Sequence, residues 1–131
     1  PVAAVHALAY PIGGMFHIPH GLSNALVLPH VLGFNIAEES NGCWRHYSEL
    51  APLAFPALTG EHSPDKARAF VAELADLSKR LGLPPRLRDC GIGEEALPVM
   101  AADAMKQTRL LVNNPREVGE ADALAIYRAA W

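Results

Sequence analysis

Residues 63–82 read Ser63-Pro64-Asp65-Lys66-Ala67-Arg68-Ala69-Phe70-Val71-Ala72-Glu73-Leu74-Ala75-Asp76-Leu77-Ser78-Lys79-Arg80-Leu81-Gly82. Ser63 is a ready N-cap, Pro64 suits the first helical turn, and Asp65 suits the positive end of the helix dipole. Phe70, Val71, Leu74, Leu77 and Leu81 recur at three- and four-residue steps. That spacing gathers them on one stripe facing a core and leaves Lys66, Glu73 and Lys79 largely outside it. Gly82 and Pro84 then stop the helix, which the pattern places over Pro64 to Leu81.

The same period extends in both directions. Ala25, Leu26, Leu28, Val31, Leu32 and Phe34 are apolar on more than one side of a cylinder, predicting a buried helix from His20 or Gly21 to about Ile36. Pro29 removes one backbone donor inside it, so a bend between Ala25 and Pro29 is expected. Shorter helices are predicted near Cys43–Phe55, Glu94–Thr108 and Glu120–Ala130, the last rich in helix formers and packing groups including Tyr127. Strict apolar–polar alternation is lacking, and eleven prolines and ten glycines punctuate the chain. The expected fold is an all-α bundle of about five to seven helices in one domain.

Composition narrows the function. Eleven Lys and Arg against fourteen Asp and Glu give a net charge of -3, which offers no footprint for nucleic acid or an anionic membrane surface. No apolar run approaches the roughly 20 residues of a membrane span. Cys43 and Cys90 lie in no CxxC or Cys/His spacing, so neither a zinc module nor a disulfide framework is indicated, and a reduced, cytoplasmic setting is expected. The chain opens at Pro1 without an initiating Met, so it is expected to be a piece of something longer. No internal repeat is visible.

Chemistry concentrates in residues 6–21, where His6, His17 and His20 stand among apolar and conformation-setting neighbours. Pro11, Gly13 and Gly14 are expected to end a helix carrying His6 and permit a tight reversal, while Pro19 and Gly21 hold His20 at the start of the next helix. Two imidazoles from consecutive elements then converge, and neutral imidazole suits Fe(II), Zn(II) and other first-row ions. Spacing alone leaves a packing role open, and His17, His30, His46 and His62 read as surface or satisfied structural groups. Gly91-Ile92-Gly93 lacks the third glycine and the preceding strand of a dinucleotide loop, and reads as a turn before a helix.

The run His6-Ala-Leu-Ala-Tyr10-Pro-Ile-Gly-Gly, continuing to Pro19-His20-Gly21-Leu-Ser-Asn24-Ala25-Leu-Val-Leu28-Pro29-His30-Val31, resembles the signature of iron-containing (group III) alcohol dehydrogenases. Gly82-Leu-Pro-Pro-Arg-Leu-Arg-Asp89 is similar to that family's interhelical connection. Asn113-Asn114-Pro115-Arg116-Glu117, Ala121–Leu124 and the closing Tyr127–Trp131 are similar to its C-terminus, so the resemblance covers nearly the whole chain. It implies the C-terminal helical domain of the dehydroquinate synthase-like, iron-containing alcohol dehydrogenase fold, with an N-terminal α/β domain for NAD or NADP lying outside this sequence. It implies, further, a divalent metal, Fe(II) ahead of Zn(II), in the cleft between the domains.

One Asp and three His bind the ion in that family. The resemblance matches His6 and His20 to the last two ligands and puts the Asp and the first His in a helix preceding Pro1. Tyr10 falls where the family usually has a His near the nicotinamide, a departure that leaves a phenol in place of an imidazole. The implied reaction is hydride exchange between a small alcohol and an aldehyde or ketone. The run Gly21-Leu-Ser-Asn-Ala25 is closer to alcohol dehydrogenases than to the related maleylacetate reductases, which rank second. By itself the chain is expected to be inactive, and a non-catalytic helical interaction module is the rival from another class. The apolar segment from Pro1 to Met15 is expected to be left uncovered and to drive self-association into a homo-oligomer.

Overall fold

The computed structural model describes residues 2–131, and these form seven α-helices with no strand among them. They are α1 (Ala4–Phe16), α2 (His20–Ala37), α3 (Trp44–Ala54), α4 (Pro64–Arg80), α5 (Leu97–Ala104), α6 (Thr108–Leu111) and α7 (Glu120–Ala130). Short 3-10 turns occupy Glu39–Asn41, Leu87–Cys90 and Glu94–Ala96. The first two helices form a hairpin. α5 and α6 pack on α1, α7 packs on α2 and α5, and α3 and α4 form a second hairpin joined to the first through α2.

The core lies where α1, α2, α5 and α7 meet. Ala4, Ala7, Leu8, Ile12, Val27, Val31, Met100, Ala101, Ala123 and Tyr127 are wholly buried there. Small residues from α1 and α7 are wholly buried beside the larger Leu8, Met100 and Tyr127. Tyr127 brings its polar end inside with a partner, since its hydroxyl donates to the Leu8 carbonyl at 2.6 Å.

α4 starts and stops as its sequence dictates. The Ser63 hydroxyl accepts from the Lys66 amide at 3.1 Å. At the other end Gly82 takes φ 73°, and paired bonds from Gly82 N to Lys79 O (2.9 Å) and from Leu83 N to Ser78 O (3.1 Å) close the last turn. The stripe between these ends is only half covered. Phe70 is buried, stacked on Tyr47 and met edge-on by Phe55, and Leu74 is partly buried, but Leu77 is 36% and Leu81 67% exposed. α3 has 11 residues against 17 in α4 and packs on it, the Ser48 hydroxyl accepting from the Ser63 amide at 3.1 Å. At 1.5 Å per residue α3 is about 9 Å shorter than α4, and Leu77 and Leu81 are left exposed toward the end of α4. Lys66, expected outside, is buried instead, because its Nζ donates to the Gly60 carbonyl at 2.9 Å.

Two further expectations change in the N-terminal region. Pro11, Gly13 and Gly14 do not end the helix carrying His6, which continues to Phe16. Proline costs α1 one internal bond, and packing of the buried Leu8, Pro11 and Ile12 outweighs it. The segment from Pro1 to Met15 is also not an uncovered apolar face. Pro1 lies outside the described residues, but Ala4, Ala7, Leu8, Ala9, Pro11 and Ile12 are buried in the chain's own core, leaving Val2, Tyr10 and Met15 as the large apolar groups exposed.

Candidate metal centre

The α1–α2 hairpin places the imidazoles. His17 closes α1 in a left-handed conformation (φ 55°), with its amide on the Gly13 carbonyl at 3.0 Å. The chain reverses within three residues, and Pro19 sets the entry to α2, so that His20 becomes its first residue. Ser23 fastens the reversal from inside: its hydroxyl reaches the carbonyls of Ile18 (3.2 Å) and Pro19 (3.1 Å). Gly13 lies at this crossing, where a Cβ would make ordinary contacts with Ile18 O at 3.4 Å and Ser23 Oγ at 3.7 Å.

The outcome is a pair of rings, His6 from α1 and His20 from α2, with centroids 5.4 Å apart and planes inclined by 50°. An ion bound at about 2.1 Å to one nitrogen of each ring would stand about 3.2 Å from each centroid. With one nitrogen of each ring facing the ion, centroids 5.4 Å apart correspond to an angle of about 115° at the ion, close to tetrahedral. The donor set and the spacing therefore fit a first-row divalent metal. They supply half of a four-ligand set, and among the described residues no group of three or more His, Cys, Asp or Glu is assembled to hold an ion.

His6 is half-buried and His20 exposed, so the pair lies at the surface of the domain rather than in an enclosed cavity. Tyr10 stands one helical turn beyond His6 on α1 and is 53% exposed. Asn24 stands one turn beyond His20. Its amide Nδ2 lies 3.1 Å from His20 Nε2 and donates to the His20 carbonyl at 2.9 Å. Sequence reading passed over Asn24, although its distance of four residues from His20 on a helix was signal enough.

The other histidines stand apart. His30 lines an apolar cavity of about 380 Å³ between α2, α4 and the Leu83–Arg86 loop, where burial pushes its imidazole pKa down. His17 and His46 are exposed, and His62 Nδ1 faces the Ser48 hydroxyl at 3.4 Å. Cys43 and Cys90 are free thiols. Gly91 (φ 81°) follows one 3-10 turn and Gly93 precedes another, as a turn requires.

Comparison with known proteins identifies the family of the chain. The family described as "Fe-containing alcohol dehydrogenase family, C-terminal" matches residues 1–131. Long-chain-alcohol dehydrogenase 1 of Geobacillus thermodenitrificans is 41% identical over 134 residues, covering 99% of this chain and 32% of that protein. The 1,3-propanediol dehydrogenase of Klebsiella pneumoniae is 35% identical over 127 residues, covering 97% of this chain and 32% of the relative. Among solved structures, a 1,3-propanediol oxidoreductase superposes with a TM-score of 0.87 at 35% identity, covering 98% of this chain and 32% of its own. The chain thus spans about a third of the length of each relative.

Proposed function

Because the chain belongs to the iron-containing alcohol dehydrogenase family, as the C-terminal part of such an enzyme, we propose that its role is to supply two imidazole ligands, His6 and His20, to a catalytic divalent ion. The observation that carries this reading is the 5.4 Å approach of the two rings across the α1–α2 hairpin. Fe(II) is the first choice and Zn(II) the second, since both accept neutral imidazole. The remaining ligands, an Asp and a His, come from the segment before residue 1, and an N-terminal α/β domain brings NAD or NADP over the open face that carries His6, Tyr10 and His20.

When bound, the ion polarises the alcohol oxygen as a Lewis acid and the nicotinamide carries the hydride. This chain's residues hold and orient. His6 and His20 bind as neutral groups, which leaves the ion's charge available to a developing alkoxide. The Ser23 bonds at the reversal keep the two helices in register, and the exposed Tyr10 hydroxyl offers a hydrogen bond toward the nicotinamide side. The substrate is a small alcohol, or in reverse its aldehyde or ketone. The working enzyme is a cytoplasmic homo-oligomer, and the 131-residue chain without its cofactor domain turns over nothing.

The test is elemental analysis of the complete enzyme, alongside NAD(P)-dependent alcohol oxidation. His6→Ala and His20→Ala each lower metal content and activity together. Full metal content in the double variant overturns the reading.

A further inference from the structure

We infer that the face of α2 turned away from His20 is a docking face for a helix from the part of the enzyme that precedes residue 1, a helix with an apolar side and a carboxylate placed to meet Lys79. The inference rests on membership of the family and not on the metal reading, since it concerns the other side of α2. Pro29 follows His20 by nine residues on one helix. At 3.6 residues per turn that is half a turn out of phase, so the two face opposite ways.

On that side α2 is open, with a groove against α4 and another against α7. Three adjoining cavities of about 380, 390 and 310 Å³ mark them. Pro29 and His30 line the first and second, and Gly33 and Ala37 line the second and third, so the open face is continuous from Ala25 to Ala37. At 1.5 Å per residue it is about 18 Å long, room for about three turns of a second helix. Val71, Ala75 and Lys79 flank it at four-residue steps on α4, and Ala125 and Ala129 do so on α7. Ala37, Ala125 and Ala129 are exposed in this chain, at positions where a helix face that stays in water carries charged or polar groups. Gly33 points the same way. It lies inside α2, where glycine is the least favourable residue after proline, and a Cβ on it would meet nothing within 4 Å. No contact within this chain calls for a bare backbone there; a close approach from outside does.

Charge and length select the occupant. His30, Arg68, Lys79 and Arg86 line the cavities, and no Asp or Glu does. Arg68 and Arg86 are paired with Asp65 and Asp89, whereas Lys79 has no carboxylate partner among the described residues. A second copy laid face to face would set basic groups against basic groups with no acid between them. A segment of the same polypeptide is free of that conflict, and the family supplies one: this chain covers 32% of the Geobacillus and Klebsiella enzymes, which leaves most of each outside the match. A helix from that remainder, laid over α2, sets side chains into both grooves and covers Gly33. The preceding part of the enzyme then grips α2 from two sides, at His20 and along the opposite face.

The test places single thiols at the two grooves, Ala37→Cys and Ala125→Cys, and follows maleimide labelling by peptide mass spectrometry, which separates them from Cys43 and Cys90. In the 131-residue chain, whose apolar core is closed by its own helices, both react freely. In the complete enzyme both react about tenfold more slowly or less, since labelling waits for local opening, and this protection does not depend on protein concentration. Gly33→Leu leaves the melting temperature of the isolated chain unchanged or raised, because its side chain enters open space. In the complete enzyme it lowers the melting temperature and restores fast labelling. Lys79→Gln likewise lowers the melting temperature of the complete enzyme and not that of the chain alone. Equal labelling rates in the chain and the complete enzyme overturn the inference. So does protection that disappears on dilution, the signature of a second copy, and so do equal effects of either substitution in both proteins. Metal content and activity enter none of these readouts, so failure here leaves the assignment of His6 and His20 standing.

Discussion

Tyr127→Phe is expected to weaken the fold at neutral pH and to strengthen it, relative to the unsubstituted chain, in strong alkali. The ring is fully buried among α1, α2, α5 and α7, so the substitution leaves packing untouched and removes only the hydroxyl that donates 2.6 Å to the Leu8 carbonyl. Loss of one well-made buried bond, with a carbonyl left less satisfied, costs about 1–2 kcal/mol. For a chain of this size that is a fall in Tm of about 4–8 °C. The pH dependence has the opposite sign. Burial raises the Tyr127 phenol well above its usual range in the folded state. From about pH 10 the unfolded chain loses this proton while the folded chain keeps it, so folding stability falls by up to about 1.4 kcal/mol per pH unit. Tyr47, also raised by burial, adds a decline of the same sign that the substitution leaves in place. Tyr127→Phe abolishes its own share, and the gap between the two proteins closes near about pH 11 and reverses above it. Urea melts followed by circular dichroism from pH 8 to 11.5 measure this. A gap of constant size across the range, or no loss at pH 8, refutes the reasoning.

Leu74→Ala, at a partly buried site, should cost about 1–2 kcal/mol, below the range for a filled core position such as Met100. Leu81→Ala, at 67% exposure, should stay within about 0.5 kcal/mol, and equal losses at both sites by urea melt would contradict the uneven cover of α4. Burial lowers the His30 pKa, so the unfolded chain takes up a proton below about pH 6.5 that the folded chain refuses. Stability present above that pH is lost as it falls, and His30→Gln should flatten the decline in Tm between pH 7 and 5; an unchanged profile would show that the ring is solvated.

Helix positions and fold class were legible because they depend on local rules. The Ser63 cap, the Gly82 stop and the three-to-four-residue spacing each act within a few residues, and α4 begins where they place it. Exposure was less legible. Whether Leu77 faces a core depends on how far α3 reaches along α4, and that length is set by Phe55 and Pro56 in another part of the chain. Pro11 misled for a related reason: its local preference to end a helix is outweighed by the burial of Leu8 and Ile12 against partners that local reading does not see. The approach of His6 and His20 could be anticipated, since a short reversal between two helices brings their facing turns together. The hydrogen bonds that dress the pair needed side-chain positions. So did the partly buried polar cluster of Asn35, Tyr47 and Asn114, where Asn114 Nδ2 donates to Asn35 Oδ1 at 2.7 Å across 79 positions of sequence.

The bond from Tyr127 to Leu8 joins residues 119 positions apart. A bundle of helices ordinarily assembles fast because most of its contacts are between near neighbours along the chain. In this one the first helix waits for the seventh. During synthesis α1 and α2 emerge ahead of α5 and α7 and can pair, yet the side of α1 that α5 and α7 will cover stays wet until about a hundred further residues have been made, at 5–20 residues per second. For that interval Leu8 and Ile12 present bare apolar surface to the cell, and it is the arrival of α7, more than the formation of any single helix, that ends the nascent chain's exposure to chaperones and proteases.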